Sequence, residues 1–439
     1  MPNEPQIAIR KASAALAVYF KTSYPDFGFA PEAEAAITHW LQAMSSLPPL
    51  MPPELVPSAN TLLAAIAHAD HMSGQVGSPS ENEISETDPS QLIFDIVYDD
   101  IPFPPPKRSS FSFIDLFAGI GGIRMAFQKA GGKCLFSSEW DKYAKKTYER
   151  NFGEVPYGDI RKIDEVSIPD HDVLCAGFPC QPFSLAGVSK KNSLGRKHGF
   201  DDPTQGTLFF DIKRIIKEKK PKAFFLENVK NLLHHDKGKT WEIIRQSLEK
   251  DLGYLINWRV VDAANWVPQH RERIFIVGYD PGQISIDKNE IVIPTAPSNG
   301  HVYPELASIV MKKVDQKYTL GVGTWATLER HKAYHSAAGN GFGYGMHKLP
   351  IREGAVTRTI SARYHKDGAE ILIDQPDREC PRRLTIEEAM QLQGFDPKCF
   401  IFPVSATQAY KQIGNSVAVP AVASCAAVIA DTLKKRGRM

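Results

Sequence analysis

Four stretches of this sequence set reactive side chains where an apolar run ends. The first is GFPCQPFS, residues 177–184, which follows HDVLCA and holds Cys180 between a proline and a glutamine. Proline fixes φ and removes an amide donor, so the strand stops and the thiol sits on a stiff turn. In parallel sheets, ligands bind at such carboxyl ends. A cysteine reacts as thiolate, which a polar or electropositive setting favours. Cys175 lies five residues earlier inside the run and reads as a buried, inert thiol. The second stretch, AFFLENVKN, ends an apolar strand in Glu227 and Asn228. A carboxyl placed there has a raised pKa and can donate a proton. In the third, PQHRERIFIVG, Arg271 and Arg273 share one strand face by period two. Two adjacent guanidiniums need a phosphate, a carboxylate or a polarised carbonyl oxygen between them. The fourth, FIDLFAGIGGIR, leads from a strand through Gly119, Gly121 and Gly122 into a helix, and Glu139 follows twenty residues after Gly119. Glycines let backbone approach a ligand, and an acid at the next strand end can hold ribose hydroxyls. The spacing indicates a nucleoside-containing cofactor. It does not choose between a dinucleotide and S-adenosylmethionine, although the six-residue GxGxxG is absent.

Together these groups suit addition to a pyrimidine ring. Carbon 5 of cytosine is too weak a nucleophile to take a methyl group unaided. A thiolate added at C6, with a carboxylic acid at N3, makes C5 enamine-like. A base inside a duplex must be flipped out to reach such a pocket. An NAD(P)-dependent oxidoreductase could use the glycine turn and Glu139, but it leaves Cys180, Glu227 and the arginine pair without a shared task.

The elements that must position these groups follow from periodicity. FSFIDLF, KCLFSSEW, HDVLCAGF, KAFFLEN and RERIFIVG read as strands. GGIRMAFQKA, DKYAKKTYERNF, GTLFFDIKRIIKEK and TWEIIRQSLEKDL read as helices. This alternation predicts an α/β fold with a parallel sheet covered on both faces. We assign 111–280 to that domain, 281–380 to a smaller irregular domain rich in proline, glycine and tyrosine, and 381–439 to a segment returning to the first. Residues 1–70 read as a helical extension, and 71–110 as an acidic, proline-rich linker. The 439 residues are 43% hydrophobic, enough for a large core, and contain no apolar run long enough to span a membrane. No secretory leader is recognisable, and the six cysteines show no CxxC or ligand-like cluster. The expectation is therefore a cytoplasmic protein without disulfides or metal. Residues 1–110 hold five Lys+Arg against thirteen Asp+Glu, whereas the remainder holds 47 against 37. A basic body suits a polyanion, since counterion release drives phosphate contacts.

Residues 111–435 resemble the DNA (cytosine-5)-methyltransferases, with the motifs in that family's order. The resemblance implies a Rossmann-like S-adenosylmethionine-dependent fold with a target-recognition domain. It makes Cys180 the nucleophile, sets Glu227 on N3 and the exocyclic amine, Arg273 on O2, and has Arg271 organise the pocket. Around the donor, whose product is S-adenosylhomocysteine, it puts Phe117, Gly119, Gly121, Gly122, Glu139, Trp140, Asp159, Ile160, Pro179, Leu208, Asn415 and Ser416. Double-stranded DNA would meet Gln181 and Ser184 of the cysteine turn and Lys190, Lys191, Arg196 and Lys197 of a loop closing over the base. AAGNGFGYGM (337–346) and VTRTISARYHKDGAEILID (356–374) resemble the Dcm-like branch, whose members act at CC-N-GG sites, commonly CC(A/T)GG. Arg358, Arg363 and Lys366 would there read bases or phosphates, arginine pairing bidentately with guanine. The setting implied is a prokaryotic nucleoid, with or without a restriction endonuclease for the same site. A tRNA-methylating relative would share the catalytic motifs, but the long stretch after Tyr279 favours duplex DNA. A DNA-binding regulator on the same scaffold would have no use for the full set of reactive groups.

Overall fold

The computed structural model describes Ala35, Thr38, His39 and residues 100–179, 208–297, 304–339 and 343–437. Six strands form its main sheet: β1 (Phe111–Leu116), β2 (Gly132–Ser138), β3 (Val173–Gly177), β4 (Ala223–Val229), β5 (Leu255–Asp262) and β6 (Glu272–Tyr279). Their spatial order is β2-β1-β3-β4-β6-β5. The strands β2, β1, β3 and β4 are mutually parallel, as the alternation predicts. RERIFIVG departs from that expectation, because β6 runs antiparallel to both β4 and β5. Only residues 263–271 join β5 to β6. That is too short for the crossover a parallel neighbour needs, so the pair closes as a hairpin.

Alternation along the strands divides the core into two layers. Phe113, Phe225, Phe275 and Val277 face one side, where they meet α1 (Gly122–Lys129) and α8 (Val419–Arg436). Ile114, Leu116, Phe224, Leu226, Ile274 and Ile276 face the other, against α3 (Leu208–Lys219) and α4 (Lys239–Gln246). Helix α2 (Lys142–Phe152) starts where the Asp141 side chain accepts the amides of Tyr143 and Ala144 at 2.9 and 3.0 Å. It stops at Gly153, whose φ of 70° few other residues adopt. The final helix α8 packs on α1, so the chain's end completes the first domain.

The segment between β6 and that return carries more structure than its composition suggests. A small sheet joins β7 (Met346–His347), β8 (Leu372–Ile373) and β9 (Arg382–Arg383). Beside it stands α5 (Val322–Ala337), with Trp325 and Leu328 against a small cluster of Leu320, Leu372 and Cys380. Ile284, Ile291, Ile293, Ile360 and Ile371, by contrast, belong to the main core layer. The short α6 (Ile386–Gln391) is held by the Thr385–Glu388 capping box, and α7 (Ala406–Asn415) follows it. Ahead of β1, Ile101 and Pro105 are buried, and Gln128 Nε2 donates to the Pro104 carbonyl at 2.6 Å. The end of the proline-rich linker is thus strapped to α1.

Candidate active site

Beyond the carboxyl ends of β1, β3 and β4 lies a cleft of about 680 Å³. The helices that follow β1 and β3, α1 and α3, lie on opposite faces of the sheet, and such switch points are where these sheets bind ligands. Phe117, Gly119, Gly122, Glu139, Trp140, Asp159, Ile160, Pro179, Leu208, Asn415 and Ser416 line it, together with Glu227, Arg271 and Arg273. Residues drawn from separate motifs therefore share one space. Gly121 does not line it. A side chain there would strike the Phe152 ring at 2.1 Å, so this glycine serves packing at the start of α1.

One half of the cleft is shaped for a nucleoside. Phe117 sits at φ 55°, an unusual conformation for a non-glycine residue and one that gathers at functional sites. A Cβ on Gly119 would meet nothing within 4 Å, so backbone borders open space. Glu139 is 8% exposed; its Oε2 accepts the Gly119 amide at 2.8 Å and its Oε1 the Asp141 amide at 2.7 Å. Burial pushes this carboxyl up despite those donors. Two carboxylate oxygens offer about four lone-pair sites, so with these amide donors the carboxyl still has room to accept a ribose hydroxyl. Trp140, 69% exposed, offers an indole at the rim, and Ile160 is buried. The Asp159 side chain binds Arg161, with Nη2 at 2.6 Å, and that pairing lowers its pKa. An adenine amino group would have to share those oxygens. The residues present fit an adenosine-containing donor.

The other half carries Glu227, Arg271 and Arg273. Gly177 of β3 pairs with Glu227 of β4, and Asn228 Nδ2 donates to the Phe178 carbonyl at 2.9 Å. The turn leading to Cys180 is therefore anchored beside Glu227. Glu227 is 8% exposed, and burial raises its pKa against the opposing pull of Arg273 and Arg271. Arg273 Nε lies 3.1 Å from Glu227 Oε1. Glu227 and Arg273 are diagonal neighbours across the β4–β6 ladder, within reach of long side chains. Among the described residues Arg271 forms no ion pair. Its Nη1 donates to the Ile360 carbonyl at 3.2 Å, and its Nη2 to those of Gly414, at 3.1 Å, and Ser416. Burial and the neighbouring Arg273 lower its pKa to about 9. In this arrangement Arg271 ties the segment holding Ile360 to the returning chain.

Several residues of the site were not drawn from the sequence. Gln269 is fully buried; its Nε2 donates to the Leu392 carbonyl and its Oε1 accepts the Ile360 amide, both at 2.8 Å. Its period-two spacing with Arg271 and Arg273 was the available signal. Gln408, Lys411 and Gln412 of α7 also line the cleft, Lys411 lying 3.3 Å from Asp141. Arg358, Arg363 and Lys366 are exposed, and Arg358 donates to the Gly343 carbonyl. Their segment presses on α7, where a Cβ on Gly414 would come within 2.3 Å of Ser361 backbone. Cys180, Gln181, Ser184, Lys190, Lys191, Arg196 and Lys197 lie outside the described residues. Among the described residues no His, Cys, Asp and Glu cluster could hold a metal ion, and no single helix is long and apolar enough to cross a membrane.

A family model described as C-5 cytosine-specific DNA methylase matches residues 111–431. The chain is 50% identical over 334 residues to the type II methyltransferase M.SsoII of Shigella sonnei, covering 76% of this chain and 83% of that one. It is 48% identical over 358 residues to M1.ScrFI of Lactococcus lactis subsp. cremoris, covering 80% and 87%. It is 45% identical over 393 residues to the DNA-cytosine methyltransferase of Escherichia coli K12, covering 76% and 81%. Among solved structures, S. pombe Dnmt2 methyltransferase superposes at a TM-score of 0.56 with 17% identity, over 74% of this chain and 98% of that one. At that identity the likeness speaks for the fold alone, a Rossmann-like methyltransferase sheet. The chain belongs to the C-5 cytosine-specific DNA methylase family and is an S-adenosylmethionine-dependent DNA cytosine-5 methyltransferase.

Proposed function

We propose that this enzyme methylates the inner cytosine of a CC-N-GG-type duplex site, such as CC(A/T)GG, through a transient bond between Cys180 and C6 of a flipped-out base. The observation that carries the reading is the buried, up-shifted Glu227 in the same cleft as Pro179, the residue before Cys180, and the nucleoside-shaped half. S-adenosylmethionine, when bound, supplies an electrophilic methyl group. The chain's own groups do the rest. The Cys180 thiolate adds to C6 while the Glu227 carboxyl protonates or hydrogen-bonds N3, so electron density moves to C5. After C5 has taken the methyl group, loss of the C5 proton expels the thiolate and restores the aromatic ring. Arg273, held by Glu227, is within reach of O2, and the buried Arg271 keeps the wall rigid. Arg358, Arg363 and Lys366 would meet bases or phosphates of the duplex, with Gln181, Ser184, Lys190, Lys191, Arg196 and Lys197 on the closing side.

Support for the site class comes from the Dcm-like segments 337–346 and 356–374 and the identity to the Escherichia coli enzyme. The cellular setting proposed is nucleoid DNA in a bacterial cytoplasm, where an endonuclease for the same sequence would need no contact with this chain. Bisulfite sequencing of DNA from a methylation-free host expressing the protein tests the reading. The wild type modifies the inner cytosine of CC-N-GG sites, and Cys180→Ala leaves them unmodified. Equal modification by Cys180→Ala overturns the covalent mechanism, and modification at unrelated sequences overturns the site class.

A further inference from the structure

The family match begins at residue 111, yet residues far upstream are built into the catalytic domain. Strand β2 is an edge strand of the main sheet, and edge amides need a partner. Here the partner is His39. The Ser137 amide donates to His39 Nε2 at 3.0 Å, while His39 Nδ1 contacts the Ala35 carbonyl at 2.8 Å. One residue earlier, Thr38 Oγ1 accepts the Val155 amide at 3.0 Å. The imidazole lies against two aromatic rings, Tyr157 at 4.7 Å and Phe136 at 5.9 Å. It also covers Glu154, whose Oε1 is 3.1 Å from Nε2 and 3.0 Å from Arg124 Nη1; Glu154 and Arg124 are fully buried.

These contacts fall directly beneath the nucleoside half of the cleft. Ser137 is followed by Ser138, Glu139 and Trp140, and Tyr157 by Gly158, Asp159 and Ile160; both runs line it. The two runs are themselves tied: the Tyr157 amide donates to the Ser137 carbonyl at 2.9 Å, and the Glu139 amide to the Tyr157 carbonyl at 2.8 Å. Thr38 and His39 thus hold the base of both walls at once. We propose that the N-terminal extension is a working part of the methyl-donor site, with His39 a positioning residue that fixes the Glu139 and Asp159 walls by capping the Ser137 amide. The proposal rests on the reading of this half as the S-adenosylmethionine site.

The test is calorimetric titration of the full-length chain with S-adenosylhomocysteine, together with steady-state kinetics. His39→Ala weakens binding by roughly tenfold, the equivalent of one lost hydrogen bond at the wall's base. KM for DNA, and kcat at saturating donor, stay at the wild-type values. His39→Gln, whose side-chain carbonyl can accept the same amide, restores binding. A merely stabilising role would lower the melting temperature without moving the donor constant. An unchanged donor constant in His39→Ala, or a His39→Gln variant as weak as His39→Ala, overturns the proposal. Should His39→Ala fail to fold, Thr38→Val decides in its place: weaker donor binding supports the proposal and unchanged binding overturns it. A wild type that binds no S-adenosylhomocysteine overturns the donor reading itself and this proposal with it.

Discussion

Adjacent glycines in FIDLFAGIGGIR separate what the turn does for the fold from what it does for the ligand. Gly121 has φ +84°, and an added Cβ would lie 2.1 Å from Phe152 Cε2 and 2.5 Å from Cζ. That ring cannot retreat. It is fully buried, 4.7 Å from the Tyr148 ring and 5.9 Å from Phe103, with the Arg124 guanidinium 4.6 Å above it. Gly121→Ala therefore incurs about 1–2 kcal/mol for the left-handed backbone and about 1–3 kcal/mol for overpacking, together about 2–5 kcal/mol. Against a total stability of about 5–15 kcal/mol, that is a large share. Gly122 is different. Its conformation is helical, and an added Cβ would meet side-chain atoms: Ser416 Oγ at 2.9 Å and Val417 Cγ2 at 3.0 Å. Alanine also gains up to about 1 kcal/mol over glycine in a helix, offsetting the crowding. The displaced Ser416 lines the cleft, so the effect passes to the donor. A shift of about 1 kcal/mol there is roughly fivefold in Kd. Urea unfolding, read as a change of midpoint at constant m, and titration with S-adenosylhomocysteine measure the two quantities. A Gly121→Ala variant as stable as wild type would refute this reasoning, as would a Gly122→Ala variant that loses more stability than Gly121→Ala.

Two further outcomes follow from buried carboxyls. Glu227→Gln keeps donor affinity but slows single-turnover transfer of a labelled methyl group by roughly 10²–10⁴-fold, the range for a lost general acid; unchanged turnover would count against the proton-donor role. Asp115 is fully buried, neither carboxylate oxygen has a hydrogen-bond partner among the described residues, and burial raises its pKa to about 8. The folded chain thus holds a proton that the unfolded chain releases above about pH 4. The stability this contributes is complete below that pH and is lost as pH rises through about 8. Thermal unfolding between pH 5 and 9 should show Asp115→Asn gaining on the wild type as pH increases, and parallel curves would contradict the buried-proton account.

How far the sequence could be read depended on whether a feature's cause was local. The strands β1, β3 and β4 announced themselves because both faces are buried and their runs are mostly apolar. LINWRVVD, which forms β5, gave no such signal, since an edge strand mixes half-buried polar positions with its apolar ones. Helix α5 was also illegible, because none of its residues is buried and no apolar stripe repeats along it. The arginine pair marks the same boundary within the site. Period two correctly puts Arg271 and Arg273 on one face, but it cannot say what lies opposite. The β4 register brings Glu227 to Arg273, whereas the returning chain brings the Gly414 and Ser416 carbonyls to Arg271. One guanidinium therefore pairs with a buried acid, and the other holds three backbone carbonyls drawn from two segments. Identical side chains two residues apart take different tasks because segments distant in sequence close over them from different sides. The type of a reactive group belongs to its own stretch of chain, while its electrostatic role belongs to whichever strand or loop the fold sets across from it.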